Sequence, residues 1–119
     1  MAIERSGNEL AFLIGVAELE ELLSDLAFGP EVFFEPEAVS IWLPELALYG
    51  RGQSFEEAME DLVDEVRDYV DEYLSEAPLY RRAPGRAEQF PFVIKALVAD
   101  ASDRLSETLL AKHEPVAAA

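Results

Sequence analysis

Nine carboxylate side chains crowd into residues 56–72, and their spacing is the first feature that could support chemistry. They are Glu56, Glu57, Glu60, Asp61, Asp64, Glu65, Asp68, Asp71 and Glu72. Clustered carboxylates can hold Mg²⁺ and activate water for hydrolysis. These acids alternate with apolar residues at the period of a helix, which is typical of a solvent-facing helix surface. We therefore predict that they hold no metal ion and instead attract a basic partner.

No other side chains combine into a recognisable catalytic group. The single histidine, His113, lies close to Pro115, where nothing is expected to orient it for proton transfer. The serines lack a well-placed histidine partner, and there are no cysteines. Gly50-Arg51-Gly52 lacks the rest of a nucleotide-binding fingerprint. The sequence predicts a protein without enzymatic activity, cofactor or metal.

The net charge of the chain limits the kinds of partner that it can bind. The 119 residues carry a formal net charge of -16, yet 50% of them are hydrophobic, so one folded core is expected. Phosphate binding needs clustered Lys and Arg, which favours a basic protein partner over direct binding of nucleic acid. The apolar runs are too short to span a membrane, and the start lacks the basic residues of a signal peptide. Together with the absence of cysteine, this predicts a cytoplasmic protein.

Short apolar segments predict a small antiparallel sheet. The predicted strands lie at 10–16, 32–34, 39–43 and 47–49. A turn at Ser6-Gly7-Asn8 precedes the first strand, and the proline-containing turn 35–37 joins the next two into a hairpin. Gly50-Arg51-Gly52 is predicted as a further turn, because glycine permits backbone paths that other residues resist.

The clearest predicted element is a helix over 54–76. Ser54 and Glu57 match the S-x-x-E capping box. The apolar residues of this helix form one stripe, as expected for a helix across one face of a sheet. They are Phe55, Ala58, Met59, Leu62, Val63, Val66, Tyr69, Val70, Tyr73 and Leu74. Shorter helices are predicted from Ala17, over 91–99 and from about Ser102, with a loop over 79–88. The predicted class is α+β: an antiparallel sheet of three to four strands, a long amphipathic helix packed on it and additional C-terminal helices.

Ten residues are candidates for contact with a partner. They are Trp42, Arg81, Arg82, Arg86, Phe90, Phe92, Val93, Leu97, Leu105 and Leu109. Trp42 alternates with its strand neighbours, so it is either part of the core, which we favour, or an exposed anchor. The three arginines either bind an acidic surface or, as we favour, balance the neighbouring acidic helix. The apolar residues either complete the core or form a face that docks in a partner's groove.

Three consecutive motifs resemble the HicB-like antitoxins. They are Ser40-Ile41-Trp42-Leu43-Pro44-Glu45-Leu46, Tyr49-Gly50-Arg51-Gly52 and Ser54-Phe55-Glu56-Glu57-Ala58. The family pattern is a strand ending in Pro-acidic-Leu, a turn with glycine, and Thr or Ser before an acidic-acidic-Ala helix start. The resemblance covers about residues 32–74. It implies a small sheet flanked by helices, related to a degenerate RNase H fold, that neutralises a toxin acting on RNA.

The first residues resemble the second half of a prevent-host-death (Phd) antitoxin domain. The matching stretches are Ile3-Glu4-Arg5-Ser6-Gly7-Asn8-Glu9-Leu10-Ala11-Phe12-Leu13-Ile14 and Glu18-Leu19-Glu20-Glu21-Leu22-Leu23. The two resemblances imply a partial Phd-like strand and helix over 1–28 and a HicB-like α+β domain with C-terminal helices over 29–111. A disordered tail is expected over 112–119.

The combined prediction is a cytoplasmic antitoxin of a type II toxin-antitoxin system. Its partner would be a basic toxin of the RelE or HicA kind, an mRNA interferase whose RNA-binding surface it masks. Two alternatives stay open: a non-enzymatic interaction or dimerisation domain of a regulatory adaptor, and a residual nuclease. A homodimer through the strand edge at 32–34 is also open, since unpaired edges seek partners.

Overall fold

The computed structural model describes the backbone of residues 2–6 and 9–13 and the complete residues 15–110. Strands β1 (Ala2–Ser6) and β2 (Glu9–Leu13) pair with each other antiparallel, with Ser6 opposite Glu9. The strand predicted over 10–16 is therefore shorter, and β1 had no counterpart in the prediction. Gly7 and Asn8 of the predicted turn, His113 and the predicted tail over 112–119 lie outside the described residues.

A second, three-stranded sheet forms the centre of the fold. Strands β3 (Glu31–Glu35), β4 (Ala38–Leu43) and β5 (Leu48–Gly52) lie in the order β3-β4-β5, and both neighbouring pairs are antiparallel. The predicted hairpin around 35–37 is confirmed. The prediction of a turn at Gly50-Arg51-Gly52 is wrong, because these residues continue β5.

The glycines of β5 allow the long helix α2 (Phe55–Ser75) to lie close to the strand. A Cβ atom added at Gly50 would lie 2.3 Å from the carbonyl oxygen of Ala58 and 2.5 Å from the Cβ atom of Leu62. A Cβ atom at Gly52 would lie 2.4 Å from that of Glu57. These two positions require glycine because there is no room for a side chain, and not because the backbone follows an unusual path.

Five further helical segments surround this unit. They are α1 (Val16–Leu22), α3 (Ala77–Tyr80), a 3-10 turn (Ala87–Gln89), α4 (Phe90–Ala101) and α5 (Leu105–Leu110). Segment 79–88, predicted as a loop, contains the end of α3 and the start of the 3-10 turn. Helix α4 has Pro91 in its first turn, as predicted, since proline needs no hydrogen-bond acceptor there.

The core lies between α2, the covered face of the sheet and the C-terminal helices. The predicted stripe of α2 is confirmed: eight of its residues are buried, and Phe55 and Leu74 are partly buried against the core. Ile41 and Leu43 of β4 are fully buried beneath it. The structure therefore has the predicted α+β class, with a long helix on an antiparallel sheet and additional helices after it.

Candidate partner-binding surfaces

The Pro-Glu-Leu motif after β4 stabilises the fold. The side chain of Leu46 is fully buried in the core. The carboxylate of Glu45 accepts a hydrogen bond from the backbone N–H of Gly29 at 2.9 Å, which ties the segment before β3 to the turn after β4. Both residues thus have structural roles within the chain.

The serine and acidic residues at the start of α2 also have partners within the chain. The Ser54 hydroxyl accepts a hydrogen bond from the Glu57 N–H at 3.2 Å. The Glu57 carboxylate accepts from the N–H of Gln53 at 2.8 Å, so the return bond of the capping box reaches one residue further back than in the usual motif. Asp61 accepts from the N–H of Arg51 on β5 at 2.9 Å. These residues of the motifs therefore stabilise the fold, and a contact surface has to be sought among side chains without such a role.

The outer face of α2 is strongly acidic. The helix contains nine acids and one arginine, and most of these acids are exposed. Arg67 forms an ion pair of 3.0 Å with Asp100 on α4 and a longer one of 3.9 Å with Asp64. Within the described residues no three acidic or histidine side chains converge where a metal ion could bind. This arrangement gives a negative field rather than an ion-binding cluster.

The face of the sheet opposite α2 carries three aromatic rings. The strand register places Phe33 of β3, Trp42 of β4 and Tyr49 of β5 on this open face. The rings of Trp42 and Tyr49 are in contact, with centroids 4.4 Å apart. Trp42 is only partly buried, so our preference for a core position is wrong: α2 covers the other face, where Ile41 and Leu43 lie.

The arginines after α2 pack on aromatic rings. Arg81 lies over the ring of Phe90 at 4.4 Å. Arg86 donates a hydrogen bond to the Tyr69 hydroxyl at 2.5 Å and lies 5.4 Å from the centre of that ring. The Tyr73 hydroxyl donates to the backbone carbonyl of Arg86 at 2.8 Å. These contacts fasten the segment after α3 to α2, and the favoured role of balancing the acidic helix stays a prediction. Arg82 is exposed, and its side chain forms no hydrogen bond or ion pair among the described residues.

The apolar candidates on the C-terminal helices divide into two groups. Val93, Leu105 and Leu109 are fully buried in the core, and Phe90 and Phe92 are partly buried against it. Leu97 is 40% exposed. Most of this group therefore completes the core of the chain, the first of the two alternatives left open for it.

A cleft of about 270 Å³ lies between α1 with the residues after it and helices α4 and α5. Lys95 donates hydrogen bonds across it to the backbone carbonyls of Leu23 and Leu26, at 2.9 and 2.5 Å. On its other side Arg104 pairs with Glu20 at 3.2 Å. Helix α1 buries no residue completely, and these polar contacts help to hold it and the residues after it against α4 and α5.

Sequence reasoning missed Phe33 and Tyr49 as surface residues. They are 47% and 58% exposed. Strand alternation carries the relevant signal: Tyr49 lies opposite Trp42, and Phe33 lies opposite Ser40, which is two residues from Trp42 and on the same face. That signal becomes usable only when the register of the three strands is known.

The fold and its surfaces define a small α+β protein suited to binding another protein. No helix in the described part of the chain is both long and apolar enough to cross a membrane. Residues 1–111 match the family model described as PHD_like, antitoxin of toxin-antitoxin, RelE / RelB, TA system. Because the match covers nearly the whole sequence, the chain belongs to this antitoxin family.

A solved structure supports the same fold. It is a crystal structure described as the antitoxin part of a proposed toxin/antitoxin system from Syntrophomonas wolfei subsp. wolfei. It aligns with a TM-score of 0.74 over 89% of this chain and 77% of the other, at 20% sequence identity. No curated protein matches the sequence. The family match confirms the prediction of an antitoxin, while the finer resemblances to HicB-like and Phd antitoxins remain predictions.

Proposed function

We propose that this antitoxin binds a basic toxin of the RelE or HicA kind, an mRNA interferase, and inhibits it by covering its RNA-binding surface. The observation that carries the proposal is the acidic face of α2, with nine acids and one arginine. An enzyme that binds RNA needs Lys and Arg close to the phosphates. An acidic protein is attracted to those same residues, and once it is bound there it excludes RNA.

Little of this negative charge is neutralised within the described residues. Arg67 and Arg104 form four ion pairs among the described residues, and two of the four are longer contacts to an exposed carboxylate. The carboxylates of Glu60, Glu65 and Asp68 on the outer face of α2 form no hydrogen bond or ion pair in the described part of the chain. Their field therefore reaches solvent and can accelerate the encounter with a positively charged partner.

The finer features of the proposal follow the sequence resemblances. Residues 29–111 form the HicB-like part, residues 1–28 form the Phd-like part, and the boundary lies close to residue 28. The protein acts in the cytoplasm, without a cofactor and without catalysis of its own. Contact with the toxin, rather than any reaction, accounts for its effect.

Coexpression with the neighbouring reading frame tests this function. We expect the neighbouring product to arrest growth alone, to copurify with this chain and to be harmless when the chain is present. Purified together at equal concentration, the chain should suppress RNA cleavage by its partner. Growth arrest that persists despite coexpression, with no copurification, would refute the proposal.

The role of the acidic face can be tested separately by charge removal. Replacing Glu60, Glu65 and Asp68 by their amides removes three charges from α2 and should not harm folding, since like-charge repulsion decreases. We expect the association rate with the toxin at low salt to fall about tenfold or more. The same change at Glu18, Glu21 and Asp25 is the matched control, because these exposed acids lie in and beyond α1. Equal effects of both variants would contradict a special role of α2.

A further inference from the structure

The open face of the sheet carries more exposed aromatic surface than the fold requires. Phe33 and Tyr49 are about half exposed, and Trp42 lies between them in contact with Tyr49. The buried core is built on the opposite face, from residues such as Ile41 and Leu43. These three rings, called here the aromatic face, therefore contribute little to the core, although exposing them to water is unfavourable.

The charges beside the aromatic face are mainly negative. Glu31 and Glu35 share this face with Phe33, because residues two apart in a strand point the same way. Glu37 follows in the turn, and Arg51 of β5 is the basic residue that the register adds to this face. A second copy of the chain would bring the same acids together, which is unfavourable. A basic partner meets opposite charge instead.

Aromatic rings flanked by carboxylates suit positively charged side chains. The face of an aromatic ring is electron-rich and attracts Arg and Lys, and an Arg stacked on such a ring can also pair with a neighbouring carboxylate. Clusters of Trp, Tyr and Phe also supply a large share of the binding energy at protein interfaces. The charge of this face and the chemistry of its rings thus both favour a basic partner.

Taken together with the proposed function, on which this inference rests, we propose that the aromatic face is the surface on which the basic toxin docks. Arg or Lys side chains of the toxin lie over Phe33, Trp42 and Tyr49, and Glu31 and Glu35 pair with them at the rim. The acidic face of α2, on the other side of the sheet, acts at longer range by steering the encounter.

Neighbouring phenylalanines of β3 provide a matched test. Phe33 is 47% exposed on the aromatic face, and Phe34 is 50% exposed but lies opposite Val39, on the side of the sheet that α2 covers. The affinity of the protein encoded by the neighbouring reading frame is measured for Phe33→Ser, Tyr49→Ser and Phe34→Ser. We expect the first two to weaken binding about tenfold or more, equivalent to about 1.4 kcal/mol, and Phe34→Ser to stay within about twofold of the unchanged chain.

The single tryptophan gives a second readout that does not depend on substitutions. A chain labelled with 5-fluorotryptophan has one ¹⁹F resonance, since Trp42 is the only tryptophan. Addition of the unlabelled neighbouring protein should shift this resonance in proportion to the complex formed. A complex that leaves the resonance unchanged would overturn the assignment of this face.

The possible outcomes distinguish a failure of the proposed docking surface from a failure of the proposed function. If the unchanged chain binds the neighbouring protein and all three serine variants bind equally well, the docking surface is wrong and the antitoxin proposal stands. If the unchanged chain does not bind, both fail. A dimer that Phe33→Ser converts to monomers would assign the face to a second copy. A shift of the ¹⁹F resonance on removal of residues 111–119 would assign the aromatic face to these residues of the same chain. Either result overturns the proposal.

Discussion

Replacing Gly50 by alanine tests whether close contact between β5 and α2 governs the stability of the fold. The new Cβ atom would lie 2.3 Å from the backbone oxygen of Ala58 and within 2.6 Å of Leu62 atoms. Ordinary van der Waals contacts begin about 1 Å further away. Because the obstacle includes the backbone of a buried helix, it cannot rotate aside, and α2 or β5 has to move.

The size of the effect follows from opposing contributions. Overpacking of a core costs about 1–3 kcal/mol, and a backbone clash belongs in the upper part of that range. Alanine also restricts the unfolded chain, which returns about 0.4–1 kcal/mol. We expect a net loss of about 2 kcal/mol in the free energy of unfolding. In urea, where the free energy falls by about 1–3 kcal/mol per M, the unfolding midpoint should decrease by roughly 1 M.

Gly29→Ala is the control for this experiment. Gly29 is exposed, and the nearest atom to an added Cβ is a carboxylate oxygen of Glu45 at 3.5 Å, which is an ordinary contact. Its free energy of unfolding should stay within about 0.5 kcal/mol of the unchanged protein. A Gly50→Ala variant as stable as the Gly29→Ala variant would refute the close-packing argument.

Three further predictions concern a helix start, a helix end and a buried tyrosine. Ser54→Ala removes the oxygen that accepts from the Glu57 N–H, so urea unfolding should show a loss of about 1 kcal/mol, whereas Ser75→Ala should show little change. Asp103 follows α4 with φ of 56°, and the Arg104 N–H bonds the Ala99 carbonyl at 2.8 Å, as in a Schellman motif. Asp103→Gly should therefore stabilise the protein by about 0.5 kcal/mol, and a lower urea midpoint would contradict this. Burial raises the pKa of Tyr73 above its ordinary value of 10.0, so the folded protein retains this proton at a pH where the unfolded chain loses it. The free energy of unfolding should thus decrease above about pH 10, and a midpoint that rises there would exclude this linkage.

The regular elements could be predicted because their signals are local. Ser54 and Glu57 lie three residues apart at the start of α2, and the apolar stripe repeats at the helical period. The hairpin of β3 and β4 likewise follows from branched and aromatic residues on either side of a proline-containing turn. These features fixed the α+β class and the resemblance that led to an antitoxin.

The roles of Gly50 and Gly52 could not be predicted from local signals. Glycines between a strand and a helix usually indicate a turn, and here they instead lie in β5, where α2 approaches the backbone. Similarly, Arg81 and Arg86 form a basic cluster in sequence, but their guanidinium groups lie over Phe90 and Tyr69. Both outcomes depend on residues that are distant along the chain.

By itself, the sequence determined which residues form α2, which face of that helix is acidic and which family the chain resembles. The tertiary structure alone decided that Trp42 shares an open face with Phe33 and Tyr49, while Val93, Leu105 and Leu109 are buried. The physical reason is that periodicity shows which side chains share a face. It does not show which of two faces another element covers, because that depends on contacts between segments far apart in sequence.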